Sequence, residues 1–134
     1  MDWRVDKLER HYAAIARERM ADLAIANPVL SVETVGFRQW EGIWVGALVT
    51  PWCINLVRLA AEPDDVAEPG RKRERAFPAG RFEFIEAEAD GVGPYEMCSL
   101  FSPVVEFLDQ EAARVTAGAA ITELLAPAEA EAGE

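Results

Sequence analysis

Two cysteines, one histidine and 24 carboxylates are the side chains of this 134-residue sequence with reach into covalent or acid–base chemistry. Cys53 and Cys98 stand far apart, and neither has a second cysteine or a histidine nearby. That spacing fits neither a zinc ligand set nor a disulfide framework, so both read as reduced, buried thiols. His11 falls on a helical stretch without a partner for a triad or an imidazole metal site. Ser99 and Ser102 lie in Cys-Ser-Leu-Phe-Ser-Pro, which lacks the glycine-flanked turn of a nucleophilic serine. Gly91-Val92-Gly93 opens no helix, so it is no phosphate loop. Acidic neighbours of Cys98 would raise its thiol pKa and blunt it as a nucleophile. The expectation is a protein without catalytic residues, metal or cofactor. A thiol-dependent redox role for Cys98 is the alternative from a different class.

Binding chemistry is better represented. Trp40, Trp44 and Trp52 crowd one stretch beside Phe37 and Pro51, and strand alternation puts Trp44 and Leu48 on one face with Gly46 between them. Phe82 and Phe84 share a face with Glu86, Glu88 and Asp90, and a hairpin over Asp90–Gly93 would bring Glu96 near Glu88. Like charges facing across strands repel, so a cationic partner would relieve them. Residues 1–81 hold 12 basic and 12 acidic side chains, whereas 82–134 hold 12 acidic ones and a single basic one, Arg114. The whole net charge of −11 therefore sits in the C-terminal part. Nucleic acid is disfavoured as a partner, because its recognition needs a basic footprint. A peptide carrying arginines beside an apolar stretch suits this face. The expected partner surface comprises Trp44, Trp52, Phe82, Phe84 and Tyr95 as apolar contacts, with Glu86, Glu88, Asp90 and Glu96 as electrostatic ones. The competing reading packs the tryptophans into the core.

These residues need elements to hold them. An amphipathic helix spans 3–26, with Asp2 as its cap, Val5, Leu8, Tyr12, Ile15 and Leu23 at spacings of three and four, and Asn27-Pro28 as its stop. Strands follow at 32–40, 43–50 and 54–60, the first pair joined by Glu41-Gly42. Prolines and an arginine-rich run make 62–79 a loop, after which strands at 81–89 and 95–100 precede a helix from Asp109 to about Leu125. Short connections favour antiparallel pairing. The expected fold is α+β: a two-layer domain with a mostly antiparallel five-stranded sheet, both terminal helices on one face and the other face partly open. Residues 1–126 would form a single domain, and the acidic tail 127–134 would be disordered. No apolar run reaches the roughly 20 residues of a membrane span, and the charged start is unlike a signal peptide, which points to the cytoplasm.

Four segments carry a resemblance. Gly42-Ile43-Trp44-Val45-Gly46, Thr50-Pro51-Trp52, Pro78-Ala79-Gly80-Arg81-Phe82-Glu83-Phe84 and Tyr95-Glu96-Met97-Cys98-Ser99-Leu100-Phe101-Ser102-Pro103 resemble, in order and spacing, the HybE/HupJ-type nickel–iron hydrogenase assembly chaperones. The resemblance spans about residues 7–125 and implies an accessory chaperone rather than an enzyme. It also implies a shape similar to secretion-type chaperones. The implied partner is a hydrogenase small or large subunit precursor, held until cofactors are installed, with a twin-arginine signal peptide as one recognised segment. Homodimerisation stays open. Some relatives carry a rubredoxin module, but this chain has no paired Cys-x-x-Cys motifs. A secretion or export chaperone for another client is the alternative within the same class.

Overall fold

In the computed structural model, residues 3–17, 27, 29–60, 68–89, 91–101 and 107–126 are described. The elements run α1 (Trp3–Ile15), β1 (Glu33–Trp40), β2 (Ile43–Val49), β3 (Ile54–Ala60), β4 (Lys72–Phe77), β5 (Gly80–Ala89), β6 (Gly93–Phe101) and α2 (Gln110–Leu125). The strands form one antiparallel sheet in the order β1-β2-β3-β6-β5-β4. The antiparallel sheet with terminal helices is as expected, but it has six strands rather than five. The predicted helical residues 18–26, Asp2 and Pro28, and the predicted tail 127–134, lie outside the described residues.

The added strand is β4, inside the stretch read as a loop. Its charges hid an alternation: Arg73, Arg75 and Phe77 turn inward while Lys72, Glu74 and Ala76 are exposed. Long arginine stems can cover a sheet face while their charged heads reach carboxylates, so a charged edge strand still folds.

The helices divide between the two faces instead of sharing one. Val5 and Leu8 of α1 pack with Leu48, Val57, Leu59, Val92 and Tyr95. Ala113, Ala117, Ile121 and Leu124 of α2 pack on the opposite face with Val45, Ala47, Leu56 and Phe84. The cause is legible in β2 and β3, whose side chains are apolar in both directions. A strand that is apolar on both sides needs cover on both.

Local chemistry fixes the connections. Glu41 and Gly42 have φ of 47° and 82°, the double positive φ of a two-residue hairpin loop whose twist matches its strands. At the β2–β3 turn the Thr50 hydroxyl accepts the N–H groups of Trp52 and Cys53 at 3.2 and 2.9 Å, so Thr50-Pro51-Trp52 is a capped turn. Buried Asn27 ties in a further segment, its backbone N–H donating to the Pro51 carbonyl at 2.6 Å and its amide to the Phe107 carbonyl at 2.8 Å. The Asp109 carboxylate caps α2, accepting the Ala112 N–H at 2.8 Å. A Cβ at Gly46 would lie 2.3 Å from the Phe37 ring. The ring occupies the place of the missing side chain, so the close approach is satisfied within the fold.

The sheet is curled rather than flat. Trp40 of edge strand β1 stacks on Phe77 of the opposite edge strand β4, with ring centroids 5.0 Å apart. The α2 side is thus a concave face. Near one end α2 closes it, with the Leu124 carbonyl accepting the Ala79 N–H at 3.1 Å.

Candidate functional site

Alternation along the strands sends Arg58, Arg73, Arg75, Glu86, Glu88 and Glu96 to the concave face, beside Phe82, Phe84 and Phe77. Glu86 stands directly across from Glu96, and Glu88 across from Pro94, so the expected approach of Glu96 to Glu88 is displaced by one pair. Two carboxylates opposite each other would repel if left alone. Here both are neutralised by arginines.

Glu86 is buried and takes bonds from Arg71 Nε at 2.7 Å, Arg71 NH2 at 3.1 Å and Arg73 Nε at 2.7 Å. The Glu68 backbone N–H adds a further bond at 3.0 Å. Arg71 foremost, then Arg73, hold the Glu86 carboxyl down to about 2. Glu96 is also buried, and Arg75 forks onto both its oxygens, at 2.9 Å from Nε and 2.5 Å from NH2. Arg58, from β3, reaches the same carboxylate by one contact of 3.4 Å. Burial lowers the Arg58 pKa most, Glu96 opposes that, and the neighbouring Arg75 and Arg73 lower it further.

Above Arg58 and Arg75 lies a cleft of about 270 Å³, walled by Trp40, Glu41 and Ile43 on one side and by Glu74, Arg75, Ala76 and Phe77 on the other. The cleft is the seam between the two edges of the curled sheet. Phe77 extends its aromatic wall, meeting Phe82 edge-on at 6.2 Å and Phe84 at 5.8 Å.

The nine residues read from the sequence do not form one open surface. Phe84 and Tyr95 are sealed in the core, on opposite faces, at 0% and 5% exposure. Trp44 is half-buried on the α1 side, Phe82 half-buried on the α2 side, and Trp52 half-buried in the β2–β3 turn. Glu86 and Glu96 are paired, Glu88 is exposed, and Asp90 lies outside the described residues. The uncompensated acidic face is thereby corrected: the arginines of β3 and β4 meet it first. Tyr95 serves packing, its hydroxyl 2.9 Å from that of Tyr12, which in turn lies 3.4 Å from the Met97 sulfur. Sequence reading singled out Trp40 with Trp44 and Trp52 but missed Arg58 and Phe77, and only the period-two pattern in Arg73-Glu74-Arg75-Ala76-Phe77 could have signalled their meeting.

The thiols are arranged for packing. Burial pushes the Cys53 pKa up, and burial with the Glu83 charge pushes up that of Cys98, so neither is an activated nucleophile. Among the described residues no group of three or more His, Cys, Asp or Glu side chains could hold a metal ion, and no helix is long and apolar enough to cross a membrane.

Known proteins share this chain's pattern. Residues 3–134 match the family described as NiFe-hydrogenase assembly, chaperone, HybE. The hydrogenase expression/formation protein HupJ of Bradyrhizobium diazoefficiens is 45% identical over 126 residues, which cover 94% of this chain and 74% of that protein. The hydrogenase-2 operon protein HybE of Escherichia coli K12 is 32% identical over 114 residues, covering 82% of this chain and 70% of that one. The solution structure of HybE from Escherichia coli matches with a TM-score of 0.74 and 28% identity, over 91% of this chain and 76% of that one. The chain belongs to the HybE family of nickel–iron hydrogenase assembly chaperones, which are not enzymes.

Proposed function

We propose that this chain works in the cytoplasm, holds a precursor subunit of a nickel–iron hydrogenase and delays its export until assembly is complete. Family membership supplies the role in maturation. The observation that favours holding a polypeptide is the seam between β1 and β4, an open cleft walled by aromatic and charged side chains and by a strand edge that is unpaired among the described residues. Such a cleft suits an extended segment better than a small, enclosed ligand. Trp44, Trp52, Phe82 and Glu88, which keep accessible surface, remain the proposed contacts among those read from the sequence. A twin-arginine signal peptide would meet exposed carboxylates such as Glu83 and Glu88, since Glu86 and Glu96 are already engaged by arginines.

Affinity capture tests the reading. A tagged copy, recovered from cells expressing a hydrogenase, should bring down an immature subunit and not the processed one. Recovery of an unrelated exported protein in its place would favour a general export chaperone. Loss of capture on deleting the leader would assign recognition to it.

A further inference from the structure

From the seam we infer a second recognition element: a carboxylate-binding site at Arg58 that receives an acidic, extended segment of the client. It rests on the client-holding reading above, but its chemistry is the opposite of an arginine-bearing leader. Arg75 takes both oxygens of Glu96, which leaves Arg58 a single 3.4 Å contact to that carboxylate. A guanidinium carries five N–H donors in a planar fork, so most of those on Arg58 have no partner among the described residues. No side-chain nitrogen of Arg58 is both buried and unpaired among the described residues, so its open donors reach the cleft that it lines. The side chain is only 18% exposed, and a charge held that far from water gains more from a carboxylate than a surface arginine does.

Its surroundings favour an anion. Arg75 and Arg73 add positive potential beside Arg58, against the larger opposing influence of Glu96, which Arg75 already engages through both oxygens. Of the carboxylates at the cleft, Glu96 is forked by Arg75 and Glu74 is engaged by Arg81 at 2.7 Å, while Glu41 stands exposed at the opposite rim. The shape of the site favours an extended chain. Among the described residues β4 pairs with β5 alone, so its other edge presents backbone donors and acceptors along one wall of the cleft. A strand added there would set alternate side chains toward the concave face, where a glutamate or aspartate could meet Arg58 beneath the Trp40–Phe77 pair.

The test uses the full chain, isotope-labelled, and two capped pentapeptides, Val-Glu-Val-Glu-Val and its glutamine counterpart Val-Gln-Val-Gln-Val. The acidic peptide should move the Arg58 Nε–H and Trp40 indole N–H resonances, and the glutamine peptide should bind about tenfold or more weakly, as expected for loss of a charge-assisted bond. Arg58→Gln should abolish that preference. Equal binding of the two peptides, unchanged affinity in Arg58→Gln, shifts confined to other residues, or no shift at millimolar peptide would each overturn the inference. Should Arg58→Gln fail to fold, Arg58→Met, which keeps an apolar stem and removes the charge, is read by the same criteria. Measuring precursor capture by the same variants separates the two readings. Capture that ignores Arg58 overturns this site and leaves client holding intact. Peptide recognition without any precursor capture supports the site and counts against client holding.

Discussion

Trp40 and Phe77, at the ends of the two edge strands of one sheet, stack with ring centroids 5.0 Å apart and planes at 28°. Edge strands of an open sheet diverge with its twist, so this contact requires a sheet curled far enough to bring its borders together. The curl creates both the concave face that shelters the arginine–glutamate network and the seam that opens onto it.

Stability should therefore depend on the pair as a pair. A double-mutant cycle with Trp40→Leu and Phe77→Leu, read by urea denaturation, should give a coupling of about 0.5–1.5 kcal/mol. Additive effects would mean that the borders are held together by something else.

The Glu86 carboxyl is held down to about 2, so its contribution to stability is present above the unfolded carboxylate pKa, about 4.3, and is lost as pH falls through 2. Glu86→Gln should destabilise the protein at pH 7, and the gap from wild type should close steadily below about pH 5. Thermal melts across that range check the sign. A gap independent of pH would assign the loss to packing.

Glu96 serves two arginines at once, Arg75 and Arg58. Glu96→Ala should cost about 2–4 kcal/mol by leaving Arg75, 29% exposed, and Arg58, 18% exposed, facing each other uncompensated. Chemical denaturation measures it, and a cost under about 0.5 kcal/mol would show the pairing to be energetically idle.

Glu41 occupies a left-handed conformation at φ 47°, in a turn type that favours asparagine before glycine. Glu41→Asn should raise stability by about 0.5–1 kcal/mol. A lower midpoint of unfolding would point to an interaction of the Glu41 carboxylate that offsets its backbone strain.

Much of the fold was legible in the sequence, and the part that was not has a physical explanation. Runs of β-branched and aromatic residues between turn signals marked β1, β2, β3, β5 and β6, and Asp109 announced α2. β4 was missed because its inward residues are arginines, which read as a solvated loop until their glutamate partners are known. The placement of Phe82, Phe84, Glu86 and Glu88 on one face also followed from alternation. That Glu86 and Glu96 would be neutralised could not follow, because their arginines lie 13 to 38 residues away along the chain. Gly46 signalled close packing correctly, but Phe37 of the same chain fills the space.

Thiol chemistry is excluded by a simple variant. Cys98→Ser should leave hydrogenase maturation intact once folding is verified by circular dichroism, since burial and Glu83 both hold the thiol in its protonated form. A folded variant that fails to support maturation would revive the redox reading.

The most direct measurement is equilibrium binding of the purified chain to a purified hydrogenase precursor subunit, followed by calorimetry, with the mature subunit as control. Saturable binding of the precursor, at least about tenfold tighter than that of the mature form, is the predicted result. No binding, or equal affinity for both forms, would contradict the claim that this protein holds an immature client.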